Sequence, residues 1–178
     1  MEILNIILKE IQEVLQNVNN IEIEDFICKF NKSKRIFVTG EGRSGLISKC
    51  FAIRLIHLGY NVFVIGETIT PAINTGDIFI AISGSGESIN IINDVKKAIT
   101  KGCDILVVTS KPESELAKLA QTLLIIPGTV KGDIHNRKSV QLLSSLFDQS
   151  LHIILDAICL LISYKNNISN DDATKKHW

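Results

Sequence analysis

The sequence predicts an α/β protein, a doubly wound parallel sheet of five strands flanked by helices. Three observations carry the prediction. Short apolar runs alternate with stretches whose apolar residues recur at helical spacing. One run, Ile78–Ile82, is apolar at every position, as a strand buried on both faces must be. The runs ending near Gly40 and Ile82 each pass into a turn of small residues, Gly40-Glu-Gly-Arg-Ser-Gly45 and Ser83-Gly-Ser-Gly-Glu-Ser88, and then into a helical pattern. A chain of 178 residues can bury a core of its own, and residues 1–178 read as one domain.

Taken in order, Ile3, Ile6, Ile7, Ile11, Val14 and Leu15 fall on one face of a helix over residues 2–17. A second, short helix is predicted over Glu24–Phe30. Arg35–Thr39 is the first strand. The helix after it runs from about Ser44 to Leu58 and closes on Gly59, whose missing Cβ suits a left-handed cap. Asn61–Ile65 is the second strand, Ile78–Ile82 the third. Ile89, Ile92, Val95, Ala98 and Ile99 define the next helix, capped by Gly102. Asp104–Thr109 is strand four, Pro112 starts a short helix, and Thr122–Ile126 is strand five, stopped by Pro127-Gly128. Thr129–Ser139 is polar and reads as a loop or lid. Val140–Tyr164 is a long helix, and Lys165–Trp178 a polar tail held only by partners.

Composition narrows the class of function. Nineteen basic and nineteen acidic residues cancel, so no basic footprint points to nucleic acid or an anionic membrane. Cys28, Cys50, Cys103 and Cys159 form no CxxC pair and read as free thiols of a reducing compartment, three of them in the core. The first residues show no basic region followed by an apolar block, and Leu151–Ile162 contains His152 and Asp156 and is short for a membrane span. A cytoplasmic protein is predicted. An apolar content of 46% predicts that some apolar surface is buried between subunits.

Chemistry concentrates in Ser83–Ser88. Two glycines let the backbone turn tightly with N–H groups exposed, and three serine hydroxyls can donate beside them. The following helix adds unpaired N-terminal amides and the positive end of its dipole. That is an anion cradle sized for one phosphate group. The plainer reading is a βα turn that happens to be rich in small residues. The first loop offers a rival, because Gly40–Gly45 matches G-x-G-x-x-G and Glu67 lies near where a ribose-binding acid belongs. Against a dinucleotide, Arg43 and Ser44 suit direct contact with phosphate or sugar, and the second cradle would be superfluous. The loop also lacks the lysine of a nucleoside triphosphate site. No His, Cys or carboxylate spacing predicts a metal.

Gly42-Arg-Ser-Gly45, Arg54-Leu-Ile-His-Leu-Gly59, Gly66-Glu-Thr-Ile-Thr-Pro71 and Ile82–Ser88 together resemble a sugar isomerase (SIS) domain, most closely the 6-phospho-3-hexuloisomerases. The resemblance spans essentially the whole chain. It implies a flavodoxin-like three-layer sandwich, isomerisation of D-arabino-hex-3-ulose 6-phosphate and fructose 6-phosphate without metal or organic cofactor, and a homotetramer. Carried over, Ser44, Ser83, Ser85 and Ser88 hold the phosphate with backbone N–H groups of Gly84, Gly86 and Glu87, while Arg43 and Glu67 face the sugar. Asp148, in Leu146-Phe-Asp-Gln149, falls where the family has its base, and His177 where a tail histidine reaches an active site, its own or a neighbour's.

The chain departs from that pattern in several places. Glu41 replaces the usual Ala, Asp148 the usual Glu, and Leu142-Leu-Ser-Ser145 stands before Leu-Phe instead of Pro-Met-Gly-Thr. An anion at Glu41 should repel a phosphate unless it turns outward or pairs with Arg43. Three alternatives stay open: a non-catalytic sugar-phosphate-binding module, an arabinose 5-phosphate isomerase-like enzyme, and a dinucleotide-binding oxidoreductase. His57, His135 and His152 read as structural.

Overall fold

The computed structural model describes residues 2–133 and 139–177. Its sheet has five parallel strands: β1 (Arg35–Gly40), β2 (Asn61–Val64), β3 (Ile78–Ile82), β4 (Asp104–Thr109) and β5 (Thr122–Ile125), in the order β2-β1-β3-β4-β5. Every residue of β3 is buried, because it lies mid-sheet with helices on both faces. Alternation within the strands feeds two cores. Ile36, Val38, Ile78 and Ile80 point to one, and Phe37, Phe79 and Ala81 to the other.

Four helices cover the first face: α1 (Glu2–Gln16), α2 (Asn20–Cys28), α3 (Gly42–His57) and α6 (Ser145–Lys165). Two cover the second, α4 (Ile89–Thr100) and α5 (Glu115–Lys118). The fold class is the one the sequence predicts. Strand order reverses between β1 and β3, and at such a switch point the loops leaving neighbouring strands diverge and open a crevice. Those two loops are the ones that carry Arg43-Ser44 and Ser83–Ser88.

The boundaries that differ have local causes. Helix α2 starts at Asn20, four residues before the predicted Glu24, because the Asn19 side chain accepts the Ile21 N–H and caps it. Its Glu22 then accepts the Ile125 N–H of the edge strand β5 at 2.7 Å. Pro112 does not start α5; Ser114 does, accepting the Ala117 N–H. Helix α6 begins at Ser145 rather than Val140. Glu10 of α1 accepts from Ser139, Val140 and Gln141, and Leu143 is left-handed (φ 51°), so 139–144 is a turn bound to α1.

The tail is not featureless. It forms α7 (Asn170–Thr174), started by a reciprocal capping box between Ser169 and Asp172. Two cysteines are buried, Cys103 and Cys159, rather than three; Cys28 and Cys50 are exposed. By length and composition α6 could cross a bilayer, but its buried stripe, Leu151, Ile154, Leu155, Ile158 and Ile162, packs on the first core. That is the pattern of a central core helix.

Candidate active site

A cleft of about 250 Å³ opens at the carboxyl ends of β1 and β3. Glu41–Ser44 of the first loop, Ser83–Ser85 and Ser88 of the second, Lys131, and Leu143, Ser144 and Asp148 around the start of α6 line it. Helices α3 and α4 both begin here, so two positive dipole ends meet in one crevice.

The serine-glycine turn is shaped by its own hydrogen bonds. Ser83 accepts the Gly86 N–H through its carbonyl oxygen at 3.1 Å and its hydroxyl at 3.2 Å. The Ser85 hydroxyl accepts the Glu87 N–H at 3.3 Å. A hydroxyl that accepts still has its proton to give, so Ser83 and Ser85 are held as donors. The glycines are steric necessities. A Cβ at Gly84 would come within 2.9 Å of both Phe147 and Val130. Gly86 has φ +67°, and a Cβ there would overlap the Ser114 side chain. Phe147 thus packs under the cradle, and its neighbour Asp148 is delivered to the cradle's edge.

Asp148 is the buried acid of the cleft, its side chain only 2% exposed. The Ser44 hydroxyl donates to Oδ1 at 2.8 Å, and Arg43 Nε stands 3.7 Å from Oδ2. Burial pushes the carboxyl above the ordinary carboxylate range, against the Ser44 hydrogen bond and the Arg43 charge, which pull it down. A carboxylate tuned upward in this way is a better proton acceptor. Arg43 also donates to the Ser145 hydroxyl, which ties the start of α3 to the start of α6.

Among known proteins, the SIS domain family matches residues 29–153. The chain is 34% identical over 172 residues to a 3-hexulose-6-phosphate isomerase of Bacillus subtilis, covering 96% of this chain and 93% of that one. An uncharacterized protein of Archaeoglobus fulgidus is 38% identical, with 96% of each chain covered. This chain belongs to the SIS domain family. A crystal structure of a hypothetical protein from Methanococcus jannaschii, described as inferring a molecular function of 3-hexulose-6-phosphate isomerase, superposes with a TM-score of 0.86. It is 28% identical and covers 100% of this chain and 98% of that one.

Of the eleven residues given a binding or catalytic role from the sequence, seven line the SIS cleft: Arg43, Ser44, Ser83, Gly84, Ser85, Ser88 and Asp148. Four others do not. Gly86 and Glu87 spend their N–H groups inside the turn, and the Glu87 carboxylate accepts the Glu115 N–H at the start of α5. Glu67 pairs with Lys49 of α3 instead of facing the cleft, because β2 is an edge strand and its loop ends beside α3. His177 lies against His57, ring centroids 5.1 Å apart, at the last residue of α3. At about 1.5 Å per residue that is roughly 22 Å from the end of α3 that borders the cleft. The capping box of α7 turns the tail back toward Gly59, which Lys176 also approaches.

Of the remaining histidines, His57 is buried, which depresses its pKa with help from the nearby His177 and Arg54 charges. His152 pairs with Asp156 one turn along α6, and His135 lies outside the described residues. Glu41 neither turns away nor pairs with Arg43. It accepts hydrogen bonds from Ser88 and Asn90 at the start of α4. Lys131 and Ser145 were missed by sequence reasoning. Lys131 carries no signal beyond a basic residue in a polar loop, and Ser145 stands out only as part of the Leu142–Ser145 departure, five residues inside the helix predicted from Val140.

Proposed function

We propose that this SIS isomerase interconverts D-arabino-hex-3-ulose 6-phosphate and fructose 6-phosphate through an enediol, with Asp148 as the base. The observation that carries the reading is one cleft, where α3 and α4 begin, in which a buried carboxylate raised by its burial stands beside the Ser83, Ser85 and Ser88 hydroxyls. The reaction moves a carbonyl between C2 and C3. Asp148 takes the proton from C2 of the 3-ketose, the electron pair becomes the C2–C3 double bond, and the C3 oxygen takes up a proton. Returning the carbon-bound proton to C3 while the C2 hydroxyl loses its own gives the 2-ketose.

Ser83, Ser85 and Ser88 hold the phosphate, and Ser44 keeps Asp148 in place through the 2.8 Å hydrogen bond. The developing enediolate oxygen needs a donor. Arg43 is committed to Asp148 and Ser145, which favours Lys131, already in the cleft, for that task. No metal or organic cofactor enters the scheme.

A homotetramer is part of the same reading. Leu46, Ile53 and Ile56 on α3 and Ile153, Leu160 and Leu161 on α6 are exposed apolar residues on the helices that border the cleft. In such an assembly a partner's His177 would approach a cleft that the chain's own His177 does not reach. Light scattering at micromolar concentration tests the assembly, and a monomeric mass would remove it. A coupled assay of fructose 6-phosphate formation from the 3-ketose tests the activity. Saturable turnover is expected; tight fructose 6-phosphate binding without turnover would replace the enzyme with a sugar-phosphate-binding module.

A further inference from the structure

We propose that Glu41 is a specificity-determining residue: its carboxylate occupies the anion position at the start of α4, and an incoming ligand must displace it. The proposal rests on the reading of the cleft as a phosphate site. Glu41 is the N-cap of α3, yet its side chain makes no capping bond to its own helix. It reaches across the crevice to α4, where the Ser88 hydroxyl donates to Oε2 and the Asn90 amide to Oε1 at 2.7 Å. Ser88 in turn is the N-cap of α4 and leaves that helix without a side-chain cap. The hydroxyl that a phosphate would use is therefore given to an internal carboxylate, at the positive end of a 12-residue helix.

The surroundings keep that carboxylate charged. The Ser88 and Asn90 hydrogen bonds hold Glu41 below the usual carboxylate range, and Lys131 adds a positive charge nearby. Glu41 is also solvent-exposed, so it can swing out without breaking the core. A phosphate dianion brings more charge and more acceptor oxygens than a carboxylate and can take the position. A neutral sugar or a sugar carboxylate cannot do so with profit. Glu41 thus sets a threshold that favours phosphorylated ligands and lowers the affinity of the cradle for all anions.

The test is calorimetric titration of inorganic phosphate into the parent, Glu41→Ala and Asn90→Ala, with acetate as a competitor. Removing Glu41 should tighten phosphate binding about tenfold or more, the equivalent of one charge-assisted hydrogen bond returned to the ligand. Acetate should compete in Glu41→Ala, where the carboxylate position is vacant, and not in the parent. Asn90→Ala, which loosens the carboxylate and keeps its charge, should give a smaller gain in the same direction. Equal or weaker phosphate affinity in a Glu41→Ala protein that binds phosphate and melts like the parent would overturn the proposal and leave the cradle standing. Absence of phosphate binding in parent and variant alike would overturn the cradle itself, and the role of Glu41 with it.

Discussion

Replacing Asp148 by Asn isolates the proposed base, because the change is isosteric at a side chain that is 2% exposed. The Asn oxygen can still accept the Ser44 hydroxyl at 2.8 Å, so the wall of the cleft should keep its shape. What disappears is the ability to take a proton, together with the negative charge 3.7 Å from the Arg43 guanidinium, which keeps its Ser145 partner. General-base catalysis contributes about 10²–10⁴-fold. At about 1.4 kcal/mol per tenfold, that raises the barrier by about 3–5 kcal/mol. Phosphate affinity should change little, since Ser83, Ser85 and Ser88 are the residues proposed to hold that group.

The same substitution carries a stability signature. The folded carboxyl titrates above its unfolded value, so Asp148 contributes stability that is fully present below the ordinary carboxylate pKa. That contribution is lost as pH rises through the raised folded pKa. The Asn variant lacks this loss, so its melting temperature should gain on the parent's as pH rises through that window, and the difference should then level off. The assays are turnover in a coupled spectrophotometric system and melting temperature against pH. Turnover within a few-fold of the parent would refute the assignment of the base, whatever the melting curves show.

Ser83→Ala together with Ser85→Ala should abolish measurable sugar-phosphate affinity by calorimetry, at about 1.5–3 kcal/mol for each charge-assisted hydrogen bond lost. Unchanged affinity would remove the cradle from the account. Gly86→Ala should destabilise the fold, because an L-residue at φ +67° is strained and its Cβ overlaps Ser114. A loss of about 2 kcal/mol, or roughly 4–8 °C in thermal melts, is expected, and an unaltered melting temperature would count against that geometry.

The parts of this protein legible in its sequence are those encoded by local pattern. Ile78–Ile82 is apolar throughout because it is covered on both faces, and Ser83–Ser88 turns because Gly86 must adopt a positive φ. Both signals lie within a dozen residues. Asp148 was placed only through resemblance to a family, since an acid near a helix start has many ordinary uses. What escaped was set by contacts between distant segments. Glu10 fixes residues 139–141 across some 130 positions of sequence and delays the start of α6. Glu67 follows a loop into a pair with Lys49, and His177 settles against His57 at the far end of α3. No local propensity reports partners of that kind. Glu41 is the most instructive case: the sequence marks it as out of place beside the proposed anion site, and the fold supplies Ser88 and Asn90 as its partners.

The central claim, that this cleft moves a carbonyl between C2 and C3 of a phosphorylated hexulose, is tested most directly by carbon NMR of fructose 6-phosphate labelled with ¹³C at C3. With the parent protein, part of the label should move from the hydroxyl-carbon region to the ketone region until equilibrium is reached, and Asp148→Asn should not bring this about. Label that stays at the hydroxyl carbon at every protein concentration, in samples where fructose 6-phosphate is demonstrably bound, would contradict the account.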